Sequence, residues 1–177
     1  MFALFTIISM VALVIVDQVT KLAATAALKG QEAIALWPGV FELKYCENTG
    51  VAFSLLENQR WLFIPISLLV AVFLTVVLFR SPLRQYKTFA ITCVLIIAGG
   101  VGNLIDRIVY GYVVDFLYFR LINFPIFNFA DCCVVIGAAL LFVFVLFIYK
   151  EKDEAPLRTL LLGIPAKTKE STSHDGE

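Results

Sequence analysis

Four stretches of this chain are apolar for long enough to cross a lipid bilayer, and what lies between them is too short to form a separate soluble domain. A helix rises about 1.5 Å per residue, so crossing the hydrocarbon takes roughly 20 largely apolar residues. The runs that meet this test are about 2–22, 61–79, 88–105 and 127–149. Of the 177 residues, 60% are hydrophobic and 16% charged, with a mean hydropathy of +0.90, a balance beyond that of a soluble domain. The first run lacks the basic start and small-residue cleavage site of a signal peptide and carries Asp17 and Lys21 near its end, so it reads as a span. The expected organisation is a four-helix transmembrane domain over 1–150, an outer-face loop at 23–60, and a cytoplasmic, disordered tail at 151–177.

The loop RSPLRQYK between spans two and three carries Arg80, Arg84 and Lys87 and no acid. By the positive-inside rule it is cytoplasmic, and so are both termini. Spans one and three then run outward and span four runs inward, which brings the unusual polar groups to one level. Asp17 and Lys21 fall at the outer end of span one, Asn103, Asp106 and Arg107 at that of span three, Asn128 and Asp131 at that of span four. Asp115 is expected in the loop joining the last two. A net charge of +0 with no basic tract excludes a nucleic-acid partner. Of four cysteines, Cys93, Cys132 and Cys133 lie in apolar runs and only Cys46 in a polar loop, so buried small hydrophobes are expected rather than disulfides.

Asp17 and Lys21 have the acid-first i, i+4 order of a helical ion pair, which suits a brace for span one. Asn103, Asp106 and Arg107 share a helical face, with Gly99, Gly100 and Gly102 allowing close backbone approach; a bridge between Asp106 and Arg107 is one expectation for this helix end. Asn128 and Asp131 suit a helix N-terminus, yet FNFAD sets Asp131 in apolar sequence, as VVDF does Asp115. Ionisable residues in or beside a span point to function. Two carboxylates held close in apolar surroundings share a proton, which supplies a base and an acid for water-mediated amide hydrolysis. Spacing alone leaves open whether Asp115 and Asp131 meet. In the loop at 23–60, FELKY alternates as a strand does and Asn48, Thr49 and Gly50 supply a turn, consistent with a strand-rich flap over a membrane-level site.

The only histidine is His174, in the tail, so neither a Ser/His/Asp triad nor an HExxH zinc helix can be built, and neither metal nor cofactor is expected. The glycines of GGVG lack the strand-to-helix setting of a nucleotide loop.

Taken together, DQVTK (17–21), ENTGVAFS (47–54), GNLIDR (102–107), VVDF (113–116) and FNFAD (127–131) closely resemble the bacterial lipoprotein signal peptidases, signal peptidase II, over about residues 2–149 and in the family's order. The resemblance implies a mainly α membrane protein of four transmembrane helices with a small strand-rich outer-face cradle and a periplasmic helix or lid. It implies a metal-independent aspartic endopeptidase of the bacterial inner membrane, with its active site near the outer face, that cuts prolipoproteins before a diacylglyceryl-modified cysteine. The catalytic pair falls at Asp115 and Asp131, and supporting residues at Asp17, Lys21, Asn48, Gly50, Asn103, Asp106, Arg107 and Asn128. Implied partners are the lipid-modified substrate and membrane lipids, with the enzyme a monomer. Cys132 and Cys133 depart from the small polar residue expected after FNFAD.

Three other readings are weighed. A proton-coupled exporter acting as a dimer explains acids in spans, but calls for a carboxylate near mid-span with access to both faces. A structural assembly subunit explains the glycines and leaves the paired aspartates without a role. A Ser/Lys peptidase using Ser54 with Lys44 or Lys21 is the rival within the enzyme class.

Overall fold

The computed structural model describes residues 1–50 and 60–149. Four long helices, α1 (Phe2–Leu28), α2 (Arg60–Arg80), α3 (Lys87–Val109) and α4 (Phe129–Val143), carry the apolar runs, and a one-turn π segment, Phe144–Ile148, extends the last. Each is long and apolar enough to cross a membrane. Their outward faces expose Phe5, Val11, Ile15 and Val19 on α1 and Leu69, Phe73 and Val76 on α2, as surfaces bathed in lipid do. The expected span one ends near residue 22, whereas α1 continues to Leu28, because the four alanines and the leucine of AATAAL are good helix formers that keep the backbone paired beyond the apolar run.

α3 is the central helix. It packs against α4 through glycines: a Cβ on Gly99 would strike the Ala130 carbonyl and the Val134 side chain, and one on Gly137 would lie 2.7 Å from Ile96 Cγ1. At the opposite end, Leu78, Leu83, Phe89, Cys93 and Phe144 form an apolar core, with Phe144 meeting the rings of Phe89 and Tyr86 at 5.3 and 5.4 Å.

A three-stranded antiparallel sheet caps the other end, ordered β1 (Ile34–Trp37), β2 (Phe41–Asn48), β3 (Val113–Phe119). It sits on α1 through Ala24 and Leu28, which pack with Leu43, Phe116 and Leu117. β3 corrects the sequence reading, which placed Asp115 in a loop. VVDFLYF is rich in β-branched and aromatic residues, and it pairs with β2 so that Asp115 lies opposite Cys46. The outer edge of β3 is closed, since Val114 N–H donates to Asp106 Oδ2 (3.0 Å) and Phe116 N–H to the Phe127 carbonyl (3.0 Å). The part of the expected lid at residues 51–59, including Ser54, lies outside the described residues.

Candidate active site

The site is built outward from the residue that caps the N-terminus of α4. Asn128, fully buried and extended in backbone, caps the helix reciprocally: its Oδ1 accepts from Asp131 N–H (3.0 Å), and Asp131 Oδ2 accepts from Asn128 N–H (3.1 Å). That is a capping box with an aspartate in the usual glutamate position. With its oxygen so engaged, the Asn128 amide nitrogen must face the other way. It donates to Asp115 Oδ1 at 2.6 Å and to Asn103 Oδ1 at 3.1 Å.

The other amides are oriented by the same logic. Asn103 Oδ1 accepts from Lys21 Nζ (2.9 Å), so its Nδ2 donates to Asp131 Oδ1 (2.8 Å). Asn48 Oδ1 accepts from Gly50 N–H (3.0 Å), so its Nδ2 donates to Asp115 Oδ2 (2.8 Å). Three asparagines thus hold two carboxylates contributed by a strand and a helix. Burial, and then the neighbouring charge of Asp131, push the Asp115 carboxyl up to about 7, with the Asn48 and Asn128 hydrogen bonds opposing the rise.

A buried ionic layer lies behind them. Lys21 Nζ is 2.9 Å from Asp17 Oδ2 and 3.1 Å from Asp106 Oδ2. Asp17 Oδ1 accepts from Ala130 N–H (3.0 Å), tying α1 to the first turn of α4. One ammonium therefore offsets two buried carboxylates while reaching the asparagine that orients Asp131. Sequence reading did not single out Gln18, whose side-chain nitrogen donates to Asp106 Oδ1 (3.0 Å), the Gly102 carbonyl (3.2 Å) and Asp17 Oδ2 (3.1 Å). Its place inside DQVTK, beside a predicted ion pair, was the available signal.

No Asp106–Arg107 bridge forms. Asp106 faces α1 and Lys21, whereas Arg107, about 100° further round α3, donates to the Asn103 carbonyl (3.3 Å) and lies 5.4 Å from the ring of Phe63. Cys93 and Cys133 are buried as expected, but Cys46 and Cys132 line the cavity and belong to the site rather than the core.

That cavity, about 990 Å³, is bounded by both Asp115 and Asp131, with Arg107 and the Asn48–Gly50 turn beside them. One end runs down the lipid-exposed face of α4 at Val135 and Ile136; the other opens along the sheet at Lys44 and Tyr118. Chemically this is an acid/base pair in a mostly apolar cleft with an adjacent guanidinium. Among the described residues, no cluster of three or more His, Cys, Asp or Glu side chains is arranged to hold a metal.

A family model described as signal peptidase (SPase) II matches residues 9–147. The lipoprotein signal peptidase of Symbiobacterium thermophilum is 40% identical over 142 residues, which are 79% of this chain and 93% of that protein. That of Halothermothrix orenii is 44% identical over 131 residues, 74% and 88% of the two chains. A solved structure described as a bacterial membrane enzyme, obtained by the in meso method at 2.3 Å resolution, superposes with a TM-score of 0.73 at 29% identity, covering 83% of this chain and 92% of its own. With four helices long and apolar enough to cross a membrane, this multi-pass protein belongs to the signal peptidase II family of bacterial membrane proteases.

Proposed function

We propose that this chain removes signal peptides from prolipoproteins by aspartic-type, metal-independent hydrolysis at Asp115 and Asp131, cutting before a diacylglyceryl-modified cysteine. The observation that carries the reading is the pair itself: two carboxylates from different elements, joined through Asn128 and opening on one cavity that reaches both lipid and water. Relatives named lipoprotein signal peptidase support the substrate class.

Asp115 is the more enclosed of the two, and burial pushes its carboxyl up to about 7, so in this reading it is the member that holds the shared proton below that pH. Asp131 accepts from Asn128 N–H and Asn103 Nδ2 at a helix N-terminus, a setting suited to the ionised partner. Asp131 then takes a proton from water as its oxygen attacks the scissile carbonyl, and Asp115 gives its proton to the carbonyl oxygen. Collapse of the tetrahedral intermediate breaks the C–N bond, the proton on Asp131 passes to the leaving amine, and Asp115 recovers a proton from the gem-diol. Arg107 holds the substrate carbonyl, and Asn48 with Gly50 closes over the cleft. The lipid on the cysteine confines the scissile bond to the level of the pair, replacing much of the positioning that a deep cleft provides. In this reading residues 1–150 form the enzyme, a monomer in contact with membrane lipid; the tail expected at 151–177 lies outside the described residues. Both termini are cytoplasmic and the sheet lies at the outer face of the bacterial inner membrane.

The test is to incubate the purified protein in detergent with a diacylglyceryl-modified prolipoprotein peptide and its unmodified counterpart, with and without chelator, and to locate the cut by mass spectrometry. A single cut before the lipidated cysteine, absent from the unmodified peptide and insensitive to chelator, is the expected result. Cleavage elsewhere, or loss of activity on chelation, contradicts the proposal.

A further inference from the structure

We infer that the aqueous end of the cleft is a cationic subsite, centred on Lys44, which favours acidic residues just after the lipidated cysteine. The inference rests on the peptidase reading above and extends it to substrate choice.

The cavity has two chemically distinct ends. Down α4 it is bounded by Val135 and Ile136, apolar side chains that are 67% and 52% exposed and face lipid. Along the sheet and the segment that follows it, Lys44, Tyr118 and Asn123 supply the polar groups among apolar neighbours such as Phe119, Phe124 and Ile126. A signal peptide is apolar and the chain that follows the cysteine is bound for water, so the residues after the cysteine leave by the sheet end. What they meet there is set by which charges are already engaged. Glu47 is committed to Lys29 (2.8 Å) and to the Tyr45 hydroxyl (3.0 Å). Asp115 and Asp131 are held by the asparagines. Lys44, by contrast, makes no ion pair among the described residues; its ammonium sits 5.5 Å from the centre of the Tyr118 ring, which orients it without neutralising it. The Tyr118 hydroxyl donates to Asn123 Oδ1 (2.7 Å), which leaves the Asn123 amide hydrogens as further donors on the same wall. Asn123 adopts a left-handed backbone (φ 48°) that asparagine tolerates well, and this turn keeps its side chain against Tyr118. The wall therefore offers a cation and an amide donor to a passing side chain, with Glu47 engaged by Lys29. A carboxylate is the group that satisfies both.

The experiment compares diacylglyceryl-cysteine peptides carrying Asp, Ala or Lys at the second, third or fourth position counted from that cysteine. The readout is the ratio of kcat/KM for the Asp and Lys peptides within each enzyme, so that differences in folded fraction cancel. For the wild type the ratio is expected to favour Asp by roughly threefold or more at low salt at one of these positions, and to shrink at high salt. Lys44→Ala should bring the ratio near one, and Lys44→Glu should reverse it. A ratio unchanged in Lys44→Glu, or a wild type indifferent to charge at every position, overturns the subsite. If the Ala peptide is itself uncut by the wild type, the peptidase reading fails and the subsite with it.

Discussion

Asn128 donates to Asp115 at 2.6 Å with the same side chain whose oxygen caps α4 through Asp131 N–H. One residue thus fixes where the helix begins and how a strand carboxylate is aimed. The two roles can be separated. Asn128→Ser keeps a good capping oxygen and removes the amide donor, whereas Asn128→Ala removes both. Asn128→Ser is expected to lower kcat by about 10- to 100-fold, the range for losing a hydrogen bond to the carboxylate that develops on Asp115 as it gives up its proton, with little change in Tm. Asn128→Ala should lose about 1 kcal/mol of stability as well. Equal Tm losses in both variants, or full activity in Asn128→Ser, would count against this division.

The pH profile follows from Asp115. Its carboxyl stands near 7, and the mechanism needs its proton, so kcat/KM should decline as pH rises above about 7. The Asn48 hydrogen bond opposes that upward displacement, so Asn48→Leu should move the alkaline limb to higher pH while lowering the maximum. A limb that stays in place or moves down would show that the titrating group is not Asp115. The same displacement makes a stability prediction. The folded state binds this proton more tightly than an unfolded aspartate, whose value is about 3.9, so the stabilisation is complete below about pH 4 and is lost as pH rises towards 7. Asp115→Asn has no such titration, and its Tm relative to the wild type should therefore climb over that interval, measured by thermal scans in detergent.

Lys21 is 3% exposed between two buried carboxylates. Replacing it by Met leaves Asp17 and Asp106 facing each other without a cation, a loss on the order of 3–5 kcal/mol. Lys21→Met should give little folded protein, and adding Asp17→Asn and Asp106→Asn should restore part of the Tm. Scanning calorimetry or a thermal fluorescence assay decides it, and a stable single variant would refute the buried ionic layer.

The neighbours Gly99 and Gly100 make an internal control for the α3–α4 contact. A Cβ on Gly99 meets the Ala130 carbonyl and Val134, whereas one on Gly100 meets nothing within 4 Å. Gly99→Ala should lower Tm by several degrees and also weaken activity, since Ala130 adjoins Asp131. Gly100→Ala should leave Tm unchanged or raise it, as alanine is the better helix former by up to about 1 kcal/mol. Similar Tm changes in the two variants would contradict the packing described for α3 and α4.

Much of this arrangement was legible in the sequence because the bilayer limits the choices. Four apolar runs, one basic loop and the resulting up-down order place Asp17, Asn103 and Asp131 at one level before any contact is known. What could not be read is which side chains turn toward which. Asp106 and Arg107 are adjacent in sequence yet face different neighbours, because one step along a helix is a turn of about 100°. β3 was missed because a seven-residue apolar segment between two spans resembles a linker, and its strand character depends on pairing with β2, some 70 residues earlier. Gln18 escapes a reading of the sequence because two of its three partners come from α3, at a sequence distance that no local spacing reveals.

The most direct test of the central claim is turnover of the lipid-modified peptide by wild type, Asp115→Asn and Asp131→Asn, each shown to be folded by its circular dichroism and elution in detergent. Asparagine keeps the shape of each side chain and removes the acid. Both variants are predicted to lose at least about a thousandfold in kcat, in line with removing an essential member of a catalytic pair. Cleavage at the wild-type rate by either variant would contradict the assignment of these two aspartates.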